Sequence, residues 1–285
     1  MTRRPRCAKG YRFGMRFAVA ALVAALMIFG AGCGGGSPAE PAGPSDSASV
    51  ATDEETSAKP TPKEVVARFY FAALVANDVE LMARAQRSAA SGSLAQVYMK
   101  HQMSQVNADL DGGTDVASGE LFEKGDGFEI CYDNAETGEP NCYTYDKFEV
   151  DGDGRLAGFT VNGRSLAGRI ILGSGKVVDS SVAKVTVLSA YQTASGYLAV
   201  AVKLRAKGAP VVFLEPIATY RTPSGQQRAV AFHSGLTEVT ANSQSTLVFY
   251  FKGSLRFGGS MTLQMATHRS VDHDGDATMV PVKVG

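Results

Sequence analysis

Five short stretches of this chain carry residue types capable of chemistry, and the spacing within each decides what that chemistry could be. Ser181-Val182-Ala183-Lys184 has the Ser-x-x-Lys spacing of a serine acyl-transfer motif. That motif sets its Ser at a helix start and is joined by Ser-Asp-Asn-like and Lys-Thr-Gly sequences; here a β-branched strand pattern follows and Lys-Thr-Gly is absent. Asp151-Gly152-Asp153-Gly154 could open a calcium loop, but Leu156 and Asn162 occupy the positions where such a loop needs Gly and Glu, so a hairpin turn is expected. His268, Asp272, His273, Asp274 and Asp276 are metal-ligand types crowded into one polar loop, where neighbouring ligands on extended chain point different ways. Gly173-Ser174-Gly175-Lys176 lacks the leading Gly and the trailing Ser/Thr of a phosphate loop. His101 could serve as a general base, yet it stands alone and is expected at the surface or the edge of the core. No Gly-x-Ser-x-Gly occurs. The catalytic, metal and cofactor expectation is therefore none.

The four cysteines are a different matter. Cys131 and Cys142 flank a turn-rich connector between two strand-like runs, GFEICY and NCYTYDKFEV. Two cysteines on neighbouring antiparallel strands can form a cross-strand disulfide when their Cα atoms lie within about 7 Å. The gap of ten fits neither Cys-x-x-Cys nor a four-ligand zinc set. Cys33 closes a run of a different kind. Six basic residues and no acid precede and flank the apolar run Phe17–Phe29, which is followed by Gly30-Ala31-Gly32-Cys33. The apolar run suits a signal-peptide core and is short of the ~20 residues of a membrane span. This segment resembles the export signals of bacterial lipoproteins, although Gly30 stands where those signals prefer Leu. The resemblance implies a signal peptide over 1–32, Cys33 as the acylated (palmitate-bearing) residue, and the membrane as partner through that lipid. Cys7 leaves with the signal.

Composition bounds the rest. The chain has 28 Lys+Arg and 28 Asp+Glu; setting aside residues 1–32 leaves 22 basic against 28 acidic residues. A mildly acidic body argues against nucleic acid as a partner, because phosphate binding needs a basic patch. Residues 33–60, rich in Gly, Pro, Ser, Ala and acids, cannot bury enough apolar surface to fold and are expected to be a disordered tether.

The elements that must position any site divide near residue 170. Thr61-Pro62-Lys63-Glu64 is a helix start with a cap, a Pro at the first helical position and a capping-box acid. Asn77-Asp78 ends this helix and caps a second, and a third runs from about Leu94 to Leu110. From Val116 the period changes to two, and GELFEKG, GFEICYD, NCYTYDKFEV and RLAGFTVNG are four strands joined by tight turns. Three helices followed by an antiparallel meander, with ALVANDVELMARA and FEVDGDGRLAGFTVNG as local features, resemble the nuclear-transport-factor-like fold. That resemblance implies an α+β cone-shaped domain over 61–166, often enclosing a pocket between helix and sheet. Phe69, Ala73, Tyr98 and Phe128 are the candidate pocket-lining residues.

Residues 167–180 are expected to be a connector. Beyond it, VAKVTVLSAYQ, GYLAVAVKLRA, PVVFLEPIATYR, RAVAFHSG, STLVFYFKG, SMTLQMATH and MVPVKV are seven strand candidates separated by turns. This half, 181–285, resembles the immunoglobulin-like β-sandwich domains of Gram-positive surface lipoproteins, the carrying features being Ser189-Ala190-Tyr191, Pro223-Ser224-Gly225 and TLVFYFKG. The expectation is a lipid-anchored protein of the extracytoplasmic membrane face. It would act without catalysis, by binding a small apolar ligand, a wall component or another envelope protein. The alternatives are an accessory subunit of an envelope transport complex and an enzyme with its site in the cone pocket.

Overall fold

Helix starts in this chain are written by their caps. In the computed structural model, which describes residues 61–133, 138–253, 255–267 and 277–285, helix α1 spans Pro62–Ala76. Thr61 accepts from the Glu64 amide at 3.3 Å while the Glu64 carboxylate accepts from the Thr61 amide at 2.6 Å. Asn77 adopts the left-handed conformation that ends α1, and the Asp78 carboxylate accepts from the amides of Glu80 and Leu81 to start α2, Val79–Gln86. Ser93 caps α3, Leu94–Asp111. Among the described residues no helix is long and apolar enough to cross a membrane. The export segment, Cys33, the tether and the His268–Asp276 loop lie outside the described residues.

The first sheet is an antiparallel meander of β1 (Glu120–Lys124), β2 (Gly127–Tyr132), β3 (Asn141–Val150), β4 (Leu156–Val161) and β5 (Arg164–Ser165). Its last turn is the two-residue hairpin Asn162-Gly163, both at positive φ, which matches the right-handed twist of the strands. Asp151-Gly152-Asp153-Gly154 is a turn as well, and Arg155 pairs with the carboxylates of Asp151 and Asp153. Cys131 and Cys142 are directly opposite on β2 and β3 and are joined by a disulfide, with Cα atoms 4.0 Å apart. The helices cover one face of this sheet. Phe71 is the hub of the core between them, with the rings of Tyr70, Phe128, Tyr145, Phe148 and Phe159 at 4.7–5.7 Å.

The second half is a two-layer β sandwich. One layer is β12 (Phe232–Ser234), β14 (Gln244–Lys252), β9 (Tyr197–Ala206), β8 (Ala183–Gln192) and β6 (Ile170–Leu172), with β7 (Val177–Asp179) also on β8. The other is β11 (Gln227–Ala229), β10 (Val211–Arg221), β15 (Gly259–Thr267) and β16 (Thr278–Val284), with β13 (Glu238–Val239) also on β10. Their inner faces share one core that includes Val200, Leu204, Phe249, Phe251, Met261 and Leu263. RAVAFHSG is two strands rather than one, β11 in one layer and β12 in the other, so the chain changes sheets within it.

Residues 167–180 supply β6 and β7. Between these strands Gly173 lies against β8 so closely that a Cβ would sit 1.9 Å from the Val187 carbonyl oxygen, which accounts for a Gly there without any phosphate. Ser181 precedes a strand and Lys184 lies on it, paired with Asp179, rather than on a helix.

Helix α3 serves both halves. One side packs into the aromatic core through Ala95, Tyr98 and Met99; another lays Ala108 on the outer face of the sandwich against Ala199, Ala201, Val248 and Tyr250. Its C-terminal Asp111 carboxylate accepts from the Ser245 hydroxyl (3.0 Å) and the Thr246 amide (2.8 Å) of β14. In return, Ile170 and Tyr191 of the sandwich complete the core of the first half.

Candidate functional site: a tyrosine-lined cleft

Where α3 passes between the meander and the sandwich, a cleft of about 360 Å³ opens. Its floor is one stripe of α3: Tyr98, Gln102, Gln105 and Asp109 recur at four-, three- and four-residue steps, which places them on one side of the helix. His101 and Val106 complete it. The first wall is the helix-facing side of the meander, through Tyr132, Tyr143, Tyr145 and Val161. Tyr143 and Tyr145 are two apart on β3, so the strand period sends both to this face and sends Cys142 to the other. The second wall is the outer face of the sandwich, with Tyr191, Tyr197, Phe232 and Tyr250 and the Thr193–Ser195 turn. Seven of the chain's ten tyrosines thus meet in one place.

The rings are fixed by one another. Phe232 stacks on Tyr250 at 4.3 Å with an interplanar angle of 16°, and Tyr197 meets Phe232 edge-on at 5.4 Å. Across the cleft Tyr132 and Tyr143 are edge-on at 6.5 Å. Deeper, the Tyr98 and Tyr145 hydroxyls bond at 3.3 Å, and Tyr191 packs edge-on against Tyr98. Burial pushes the phenols of Tyr132 and Tyr191 up to about 12, and those of Tyr98, Tyr145 and Tyr250 well above their ordinary value. The nearby Tyr143 phenol adds to the rise at Tyr132, Tyr145, Tyr191 and Tyr250. The phenols of Tyr98, Tyr132, Tyr145, Tyr191 and Tyr250 are neutral hydrogen-bonding partners at physiological pH.

His101 is not at the surface. It is 1% exposed, its Nδ1 lies 2.9 Å from the Ser189 hydroxyl, and burial lowers its pKa to about 4. The helix periodicity placed it correctly on α3, but burial against the sandwich comes from a contact 88 residues away in sequence. Asp109 is the one carboxylate among the described lining residues. Burial raises its pKa and the Ser234 hydroxyl partly offsets the rise. No Lys or Arg lines the cleft among the described residues.

Of the residues singled out from sequence, Tyr98 lines this cleft. Ala73 and Phe128 are packed in the aromatic core, and Phe69 is 48% exposed on the outer side of α1. Phe71, two residues on and so on the opposite side of the helix, fills the space between helix and sheet instead. The signals that could have found the cleft are the Tyr-x-Tyr of β3 and the polar stripe on α3. Neither identifies its opposite wall.

No protein-family model matches the chain, and no curated protein is similar to it. Among solved structures, the archaellum periplasmic stator protein FlaG from Sulfolobus acidocaldarius is similar over 33% of this chain and 92% of its own, at 18% identity and a TM-score of 0.21. A likeness of that extent carries no argument here. The observed fold is β-rich, with sandwich-like sheets and three helices among the described residues.

Proposed function

We propose that this is a lipid-anchored protein of the extracytoplasmic membrane face that acts by binding a small ligand in the tyrosine-lined cleft, without catalysis. The observation that carries the reading is the convergence of seven tyrosines from both halves around one space, with α3 as a shared floor. A cleft of that volume falls within the range of small-molecule sites, roughly 300–1,000 Å³, and such sites pair aromatic walls with a few polar groups. The Cys131–Cys142 disulfide supports an oxidising compartment. In the finer architecture of this reading, residues 61–166 are a cone-like domain whose interior is filled by aromatic side chains, and 181–285 are an immunoglobulin-like sandwich.

Two experiments test it. Metabolic labelling with a fatty-acid analogue should tag the wild type and leave Cys33→Ser unlabelled; equal labelling of both contradicts the anchor. Protein purified gently from the native envelope and then denatured should release a small molecule in near-stoichiometric amount. A second reading, an accessory subunit of an envelope complex, is favoured by Val65 and Phe69, which are about half exposed and one turn apart on α1. Release of nothing, from protein that purifies as a stable assembly, would select that second reading.

A further inference from the structure

Resting on that reading, we infer that the cleft takes a neutral sugar, a mono- or disaccharide unit of a glycan, held between the aromatic rings and the amide-bearing stripe of α3. The chemistry of the lining argues against two other ligand classes in turn. An anionic headgroup, phosphate or carboxylate, would face Asp109; Arg169 packs on the lining ring of Tyr191 at 5.6 Å, but its guanidinium is engaged by the Gln192 carbonyl at 2.7 Å. A buried charge of that kind is costly unless paired. A wholly apolar chain would meet the opposite difficulty. The side-chain amides of Gln102 and Gln105 and the phenols of Tyr132 and Tyr143 have no hydrogen-bond partner among the described residues, and an alkyl ligand would strip them of water and give nothing back.

A pyranose ring answers both demands. Its C–H faces are apolar and flat enough to lie on an aromatic ring, while its rim carries hydroxyls that both donate and accept. The cleft offers that combination in the right places. Phe232 is half exposed yet held by Tyr197 on one side and stacked on Tyr250 on the other, so a ring face is presented to solvent without freedom to turn away. The amides of Gln102 and Gln105 lie one turn apart on the floor, both available to hydroxyls on the rim of one ring. Asp109, at the end of the stripe, adds a carboxylate acceptor. A small quaternary ammonium ion could also use the rings and Asp109; it would leave the amides unused, which is why the sugar is the better fit.

The chain has no Trp, so its near-ultraviolet emission is tyrosine emission, and most of its tyrosines are in the cleft. The test is a fluorescence titration of the Cys33→Ser full chain with cellobiose, maltose and N,N′-diacetylchitobiose, alongside tetramethylammonium and decanoate. At least one disaccharide should give a saturable change. Phe232→Ala and, separately, Gln105→Ala should weaken it about five- to tenfold. Gln105→Ala, on a helix, should leave the melting temperature unchanged. Phe232→Ala, at a half-exposed site, should lower it slightly through the lost ring contacts while the chain still unfolds in one transition. Saturable binding of tetramethylammonium or decanoate with none of the sugars overturns this inference and leaves the cleft as a ligand site. Sugar binding that both variants retain at wild-type strength overturns it too, by placing the sugar elsewhere. No response to any probe, together with no molecule released on denaturation, overturns both the sugar and the ligand-binding reading.

Discussion

His101 shows how much a single residue's role depends on what covers it. On α3 alone it is one polar side chain among many; under the sandwich it becomes a neutral imidazole bonded to Ser189. Its folded pKa of about 4 lies below the ordinary 6.5, so the unfolded chain binds the extra proton first as pH falls. The native state therefore keeps the full contribution above about pH 6.5 and loses it progressively towards pH 4, a loss of about 3 kcal/mol. Urea unfolding of the wild type should weaken across that window, and His101→Gln should show a flatter profile. Parallel curves would contradict the buried neutral imidazole. Phe69 and Phe71 make the same point in reverse. Both are large aromatics on α1, and the helical repeat marks one apolar face, but Phe71 fills the core and Phe69 is left outside.

At the scale of elements, what is local was legible in the sequence. Thr61-Pro62-Lys63-Glu64, Asn77-Asp78, Asp151-Gly152-Asp153-Gly154 and the cross-strand Cys131–Cys142 pair each depend on residues within one turn or one hairpin, and each is found where the spacing places it. Short edge strands were not legible: β6, β7 and β13 have two or three residues and are strands only because β8 and β10 offer them partners. The docking of α3 was equally silent, because Asp111 is matched by Ser245 and Thr246, more than 130 positions away. Asp111→Ala should cost about 1–2 kcal/mol, since two hydrogen bonds to a charged acceptor are lost at a partly exposed site. Chemical denaturation would measure it, and an unchanged midpoint would mean that Ala108 and its small-residue contacts hold the helix end alone.

At the scale of the whole molecule, the two halves are coupled by shared parts. Ile170 and Tyr191 belong to the sandwich layer yet complete the aromatic core, and α3 is buried on both sides. Residues 61–285 should therefore melt in a single calorimetric transition whose calorimetric and van't Hoff enthalpies agree; two resolved transitions would show that the shared helix couples them weakly. The cleft is a product of the same arrangement. Its walls are made by residues from 77 to 250, so no window of sequence contains it, although Tyr143-Thr144-Tyr145 and the Tyr98–Asp109 stripe each carry one side.

The central claim is that this junction is a ligand site, and native mass spectrometry of protein isolated from its own envelope tests it most directly. The wild-type protein should carry a small-molecule mass adduct beyond the lipid on Cys33, and the same protein with Tyr143→Ala and Phe232→Ala should be folded and lack it. An adduct that persists in the double variant, or a wild-type protein without any adduct, would contradict the account.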